Sequence, residues 1–156
     1  MSNKRKRKAL IGTIKIETDI FTSATKLSDM FLAEATKLLS IWGMTTLQYN
    51  ALRVLYVKDS EDIGLPSKEI GSRLYTRVPD VTRLLDRMAD KNWVIRERDT
   101  ENKRVVRTRL TQIGIELVES VYAPLMELES NQLSHMSNDE KRELSRLLKK
   151  ALKNET

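Results

Sequence analysis

The chain has 156 residues, 40% of them hydrophobic and 32% charged, with a formal net charge of +6 and no cysteine. Without cysteine, disulfides, thiol catalysis and a cysteine redox switch are excluded together. No apolar run approaches the roughly 18 residues of a membrane span, and no signal-peptide core with a small-residue cleavage site follows the basic N-terminus, so one soluble, cytoplasmic domain without membrane attachment is expected.

The chain opens with Lys4, Arg5, Lys6, Arg7 and Lys8, a +5 run expected as a flexible basic arm over residues 1–8 that either engages a polyanion or merely solubilises. Residues 9–156 then read as one domain. Ala9–Ile16 is compatible with a strand or a first helical turn. From Thr18 to Ser40, Ile20, Ala24, Leu27, Phe31, Ala35, Leu38 and Trp42 recur at steps of three and four, the heptad-like seam of a long helix, and Gly43 stops it. Thr45-Thr46-Leu47-Gln48 has the spacing of a capping box. It opens a helix to about Val57, with Leu47, Ala51, Val54 and Leu55 inward. Lys58–Leu65 is an acidic loop turning at Gly64.

Pro66–Leu74 predicts a short helix, and only a few residues separate it from a second. In the second, Val81, Leu84, Leu85 and Met88 form one apolar stripe. Pro79 suits the first turn of that helix, Arg77 occupies the position at which a capping Ser or Asp is expected, and Asn92 can take the left-handed conformation that ends it. Trp93–Arg98 and Val105–Leu110 are β-branched, partly alternating runs joined by the polar loop 99–104, a hairpin with Lys103 and Arg104 at its tip. Thr111 caps a helix to about Leu133, with Leu117, Val121, Leu125 and Leu128 as its stripe and a kink expected at Pro124. Ser137-Asn138-Asp139-Glu140 is a second capping box. It opens a last helix with Leu144, Leu147, Leu148, Ala151 and Leu152 on one face.

The fold class is therefore mostly α with a small β-wing: a winged helix-turn-helix lobe over residues 45–111, framed by terminal helices at 9–43 and 112–156. Thr82-Arg83, Leu85-Asp86-Arg87, Lys91, Trp93-Val94, Lys103-Arg104 and Leu110-Thr111 resemble the multiple antibiotic resistance regulator (MarR) family, without gaps from about Leu74 to Gly114. The apolar seams leave Ile20, Leu27, Phe31, Leu38, Leu144 and Leu148 with too little central domain to cover them. A twofold homodimer with interleaved terminal helices solves this, and the resemblance implies the same.

Positive charge is concentrated where a phosphate backbone would meet it. Residues 66–111 hold twelve Lys and Arg against seven Asp and Glu, a surplus of +5, whereas 9–65 and 112–156 are each at −2. Second helices of helix-turn-helix units put their early side chains on base edges in the major groove of duplex DNA. Thr82 and Arg83 are the candidates there, Arg83 for guanine and Thr82 for a base, a thymine methyl or phosphate. Asp80 either accepts from cytosine or stabilises the helix's positive end, the second being preferred. Ser67, Lys68, Arg77, Pro79 and Arg87 complete the candidate DNA-binding set with Lys103 and Arg104. The resemblance implies that the wing tip enters the minor groove. It also implies that Asp86 and Arg87 can buttress the wing, with Arg87 equally able to meet phosphate. The family's usual Asp before the wing cations is Asn102 here, which leaves the wing's internal ion pair in question. Arg107 and Arg109 could be ordinary solvated residues.

The resemblance further implies a crevice for a small aromatic or phenolic effector between the terminal helices and the lobe. Trp42, Tyr49 and Arg53 are candidate contacts, beside Met44 and Tyr56, although core packing is the preferred reading of all five. Chemistry is not expected: His135 is the only histidine, no Gly-rich phosphate loop occurs, no cofactor is implied, and Asp59, Glu61 and Asp62 read as a solvated turn rather than a metal site. The function expected is a DNA-binding transcriptional regulator, a homodimeric repressor of a pseudo-palindromic operator relieved by such an effector. The alternative is a winged helix used as a protein-interaction or scaffold module.

Overall fold

The computed structural model describes residues 15–152. The basic arm and residues 9–14 lie outside the described residues. Helix α1 spans Ile16–Leu39. The chain divides into two compact units, 1–34 and 35–156. Within the first, α1 is mostly exposed, including Ile16, Ile20 and Phe21, and Thr22 and Thr25 donate their hydroxyls back to the carbonyls of Thr18 and Phe21. Those bonds are local and keep the polar side of the helix satisfied.

The second unit begins with the end of α1, a 3-10 turn at Ser40–Trp42, and Gly43 in the left-handed region at φ 63°. Gly43 thus ends the helix as its lack of a Cβ allows. Helix α2 is Thr46–Lys58, and its capping box at Thr45 and Gln48 is complete in both directions. Seven of its residues are buried, including Tyr49, Asn50 and Leu52 besides the expected Ala51, Val54 and Leu55. The helix is therefore central to the lobe rather than half-exposed. In the acidic loop, the Asp59 carboxylate accepts from Gly64 N at 3.0 Å, closing the turn in which Gly64 has φ 81°.

Strand β1 is the two-residue Leu65–Pro66, followed by α3 (Ser67–Arg73), α4 (Val81–Asp90), β2 (Val94–Arg98) and β3 (Val106–Leu110). The sheet order is β1-β3-β2, antiparallel throughout, with Leu65 opposite Thr108 and Val94 opposite Leu110. β1 is too short to carry a period-two pattern, so periodicity does not reveal it.

Two expectations about the start of α4 are corrected. The N-cap is Asp80, whose carboxylate accepts from Arg83 N at 2.9 Å, and Pro79 precedes the cap. A residue before proline is confined to extended backbone, so Val78 keeps the chain out of helix. Asp80 is then the first side chain able to bond an orphan N–H. Arg77 is consequently not a capping position, and the α3–α4 connection is the seven residues Leu74–Asp80 rather than a tight turn. Asn92 ends α4 at φ 57°.

Helix α5 is Gln112–Gln132, capped by Thr111, and remains one helix through Pro124. Its inward side is Gly114, Val118 and Val121. At Gly114 a Cβ would lie 2.1 Å from the Trp93 carbonyl oxygen, so only glycine lets α5 leave the sheet at this angle. Helix α6 is Asn138–Ala151 with its capping box at Ser137, and none of its residues is buried. The core of the second unit joins Leu39, Met44, Leu52, Leu55, Ile70, Leu85, Met88, Trp93 and Val121. It fastens α4 to α2 and the sheet through Leu85 and Met88, the inward stripe foreseen from the sequence.

Candidate nucleic-acid interface

Helix α4 has one apolar side and one charged side. Leu85 and Met88 are wholly buried, and Thr82, Arg83, Asp86 and Arg87 are exposed. Its orientation is set by contacts to three neighbours. Gly71 on α3 lets Val81 approach so closely that a Cβ there would stand 2.9 Å from a Val81 methyl. From α2, buried Asn50 accepts the Tyr75 N–H at 3.1 Å and fixes the α3–α4 connection. From β2, Arg96 pairs with Asp86 and also reaches the Thr82 carbonyl and the Ser67 hydroxyl, each at 3.4 Å. Arg96 thus joins α3, α4 and the wing at one guanidinium, whose side chain is only 13% exposed. The buttress expected of Asp86 exists. Its partner Arg96 did not emerge from the sequence, although it stands on the same strand face as Glu97's neighbour Arg98 by period two.

The wing is closed internally by Asp99. Its carboxylate accepts the Arg107 Nε–H and the backbone N–H groups of Glu101 and Asn102. The Arg107 hydrogen bond, and then those two backbone donors, hold the Asp99 carboxyl down at about 2. Arg107 also donates to the Gly64 carbonyl at 2.9 Å, tying the wing to the loop before β1. The wing's internal ion pair is therefore present, made by Asp99 rather than by a residue at Asn102. Arg107 and Arg109 are not merely solvated. Both are half-buried, and Arg109 stands 3.6 Å from Glu97 and 4.0 Å from Asp62.

These contacts sort the twelve cations of residues 66–111 into two groups. Arg73, Arg96, Arg107 and Arg109 have carboxylate partners, and Lys91 donates to the Gly43 carbonyl. Lys68, Arg77, Arg83, Arg87, Arg98, Lys103 and Arg104 make no side-chain ion pair or hydrogen bond among the described residues, and all seven are exposed. Six of the seven are sequence candidates, and Arg98 is an addition. Ser67 is half-buried and accepts from Arg96, while Asp80 is engaged as the cap. Pro79 is exposed before that cap. These three support the frame, and the seven cations form its charged surface.

A cleft of about 310 Å³ lies between α2 and α5, lined by Tyr49, Arg53, Tyr56, Val57, Val118, Glu119 and Tyr122. It brings together Tyr49 and Arg53 of the proposed effector contacts. Trp42 is not among its walls, because it packs against the core instead; Met44 is wholly in the core. Burial raises the Tyr49 phenol above its usual range, against the opposing influence of Arg53. The Tyr56 hydroxyl donates to Glu119 at 3.0 Å. No helix among the described residues is long and apolar enough to cross a membrane.

Residues 44–106 match the sequence profile of the MarR family. An uncharacterized HTH-type transcriptional regulator of Bacillus subtilis, YkoM, is 32% identical over 110 residues, covering 70% of this chain and 68% of that protein. A MarR transcription factor from Planctomyces limnophilus superposes with a TM-score of 0.68 at 32% identity, over 86% of this chain and 96% of its own. Staphylococcus aureus MepR, solved as a complex with DNA, superposes with a TM-score of 0.76 at 27% identity, over 84% of this chain and 94% of its own.

Proposed function

The chain belongs to the MarR family of transcription regulators, and from that premise we propose that it binds duplex DNA as a homodimer and represses transcription from a pseudo-palindromic operator. The observation that carries the reading is the set of seven exposed cations, at Lys68, Arg77, Arg83, Arg87, Arg98, Lys103 and Arg104, that have no side-chain partner among the described residues. Phosphate neutralisation with counterion release dominates protein–DNA affinity, and cations already paired within the protein contribute little to it. Arg83 and Thr82 read base edges in the major groove, and Lys103 and Arg104 enter the minor groove at the wing tip. The arm over residues 1–8 adds sequence-independent contacts.

Two copies associate through 9–43 and 112–156, using Ile20, Leu27, Phe31, Leu38, Leu144 and Leu148. Ile20 is 58% and Leu148 41% exposed in the single chain, and α6 has no buried residue at all, which supports a role for these helices in association. A dimer presents two recognition helices related by a twofold axis, hence the palindrome. A small aromatic effector binds in the Tyr49–Arg53–Tyr122 cleft and relieves repression. The cleft's volume is at the lower end of the range for small-molecule sites.

The test is fluorescence anisotropy with a duplex from the gene's own upstream region and a shuffled duplex of equal composition, each at several salt concentrations. Tighter binding to the native duplex with a steep salt dependence is expected. Equal, weak binding to both would refute operator recognition.

A further inference from the structure

Among the described residues, Lys91 is the cation of residues 66–111 that has protein partners but no carboxylate. Its Nζ donates to the Gly43 carbonyl at 2.7 Å and lies 4.3 Å from the centroid of the Trp93 ring. The two partners are forty-eight and two residues away along the chain. Gly43 closes the 3-10 turn that ends α1, where its own N–H bonds Ser40 O and Met44 N–H bonds Leu39 O. Carbonyls at such an end carry the negative pole of the helix and favour a cation. Trp93 is equally fixed: it is 7% exposed, its N–H bonds Met88 O, and its carbonyl accepts from Thr111 N. A flexible, strongly hydrated lysine is thus held on one side by a cation–π contact and on the other by a charge-assisted hydrogen bond.

We propose that Lys91 is a positioning residue for the recognition helix, tying the C-terminal end of α4 to the turn that ends α1, and that it does not contact phosphate. This rests on the DNA-binding reading of α4. Arg96 holds the outer flank of α4 to the wing, and Asp80 fixes its first turn. Lys91 supplies the anchor at the remaining end and links it to the helix assigned to subunit association. The orientation of α4 therefore follows the end of α1.

The test compares the full chain with Lys91→Met, which keeps the stem but loses charge and donor, and Lys91→Arg, which can keep both contacts. In hydrogen exchange, Lys91→Met should speed the amides of residues 43 and 44 together with those of residues 88–93, by about five- to seventyfold, the range set by one exposed cation–π contact and one hydrogen bond together. Affinity for the upstream duplex should fall by a similar factor with an unchanged slope of log affinity against log salt, and Lys91→Arg should restore both readouts. Faster exchange confined to residues 88–93, or none, overturns the tie. A slope reduced by roughly 0.9 would mark Lys91 as a phosphate contact and overturn the proposal as well. If wild-type chain binds duplex and Lys91→Met binds it equally well, the positioning role alone fails. If wild-type chain binds no duplex, the DNA-binding reading fails and takes the positioning role with it.

Discussion

Asp86→Asn is expected to destabilise the lobe more than Arg96→Met, although both break the same ion pair. The Asp86 side chain is 57% exposed and the Arg96 side chain 13%, so the two leave unequal residues behind. Taken as a surface pair, the interaction contributes only about 0.2–1 kcal/mol. Asp86→Asn also strands a guanidinium whose remaining contacts, to Thr82 O and Ser67 Oγ, are each 3.4 Å long and whose Nε already has no partner among the described residues. A fully buried stranded charge costs about 3–5 kcal/mol; partial access of the Arg96 head to water reduces this to about 1–2 kcal/mol. Arg96→Met removes the charge and the orphaned Nε donor while keeping most of the apolar stem, and water rehydrates Asp86, for a net cost of about 0.5 kcal/mol. The double variant should resemble Arg96→Met. Urea unfolding is the assay, at one fixed protein concentration because the proposed association would add a mass-action contribution. A difference of about 1 kcal/mol moves the midpoint by roughly 0.5 M at an m-value of about 2 kcal/mol/M. A midpoint for Arg96→Met as low as that of Asp86→Asn, or lower, would refute the argument from unequal exposure.

Arg83→Ala should weaken binding to the specific duplex by about 1–3 kcal/mol and to a shuffled duplex much less, measured by anisotropy; equal losses would make Arg83 a phosphate contact. Leu148→Asp should give a folded monomer by circular dichroism and sedimentation, since Leu148 is 41% exposed in the single chain; a variant that stays dimeric would remove α6 from the interface. Asp99 has its pKa lowered from 3.8 to about 2, chiefly by the Arg107 hydrogen bond, so its stabilising contribution is present above the unfolded value and lost as pH falls from about 4 through about 2. An NMR titration placing the Asp99 carboxylate near 4 would contradict the closed wing.

Much of the lobe was legible because its signals are local. The three caps at Thr45, Thr111 and Ser137 each need only side chains within four residues, and the α4 stripe is a matter of period. The start of α4 is not legible because two local rules compete over Arg77–Asp80. Proline tolerance in a first turn pointed to Pro79, but the carboxylate of Asp80 and the extended backbone demanded of Val78 determine the start. What stayed hidden depends on partners distant in sequence. Arg96 meets Ser67, Thr82 and Asp86, Arg107 meets the carbonyl of Gly64, and Asn50 meets Tyr75. Burial of Asn50 in α2 has no signature in a hydrophobic pattern, since the polar residue is retained for a hydrogen bond that only the fold supplies.

The same long-range contacts change what the charge surplus means. Counted along the chain, residues 66–111 have twelve cations and seven anions, which does not distinguish a charged interface from a solvated surface. In the fold, Glu69, Asp86, Glu97 and Asp99 each take a basic partner, and Asp80 takes a backbone N–H. Five of the seven carboxylates are thus used in holding the frame, and the cations left over lie on α3, the α3–α4 connection, the face of α4, the end of β2 and the wing tip. Substituting Arg107 would therefore change charge and loosen the hairpin at once, because it holds Asp99 and Gly64. Lys103 and Arg104 have no such side-chain partners among the described residues, so their double alanine variant alters charge alone. A loss of affinity in that variant with the wing's amide protection intact is then attributable to DNA contact and not to unfolding of the hairpin.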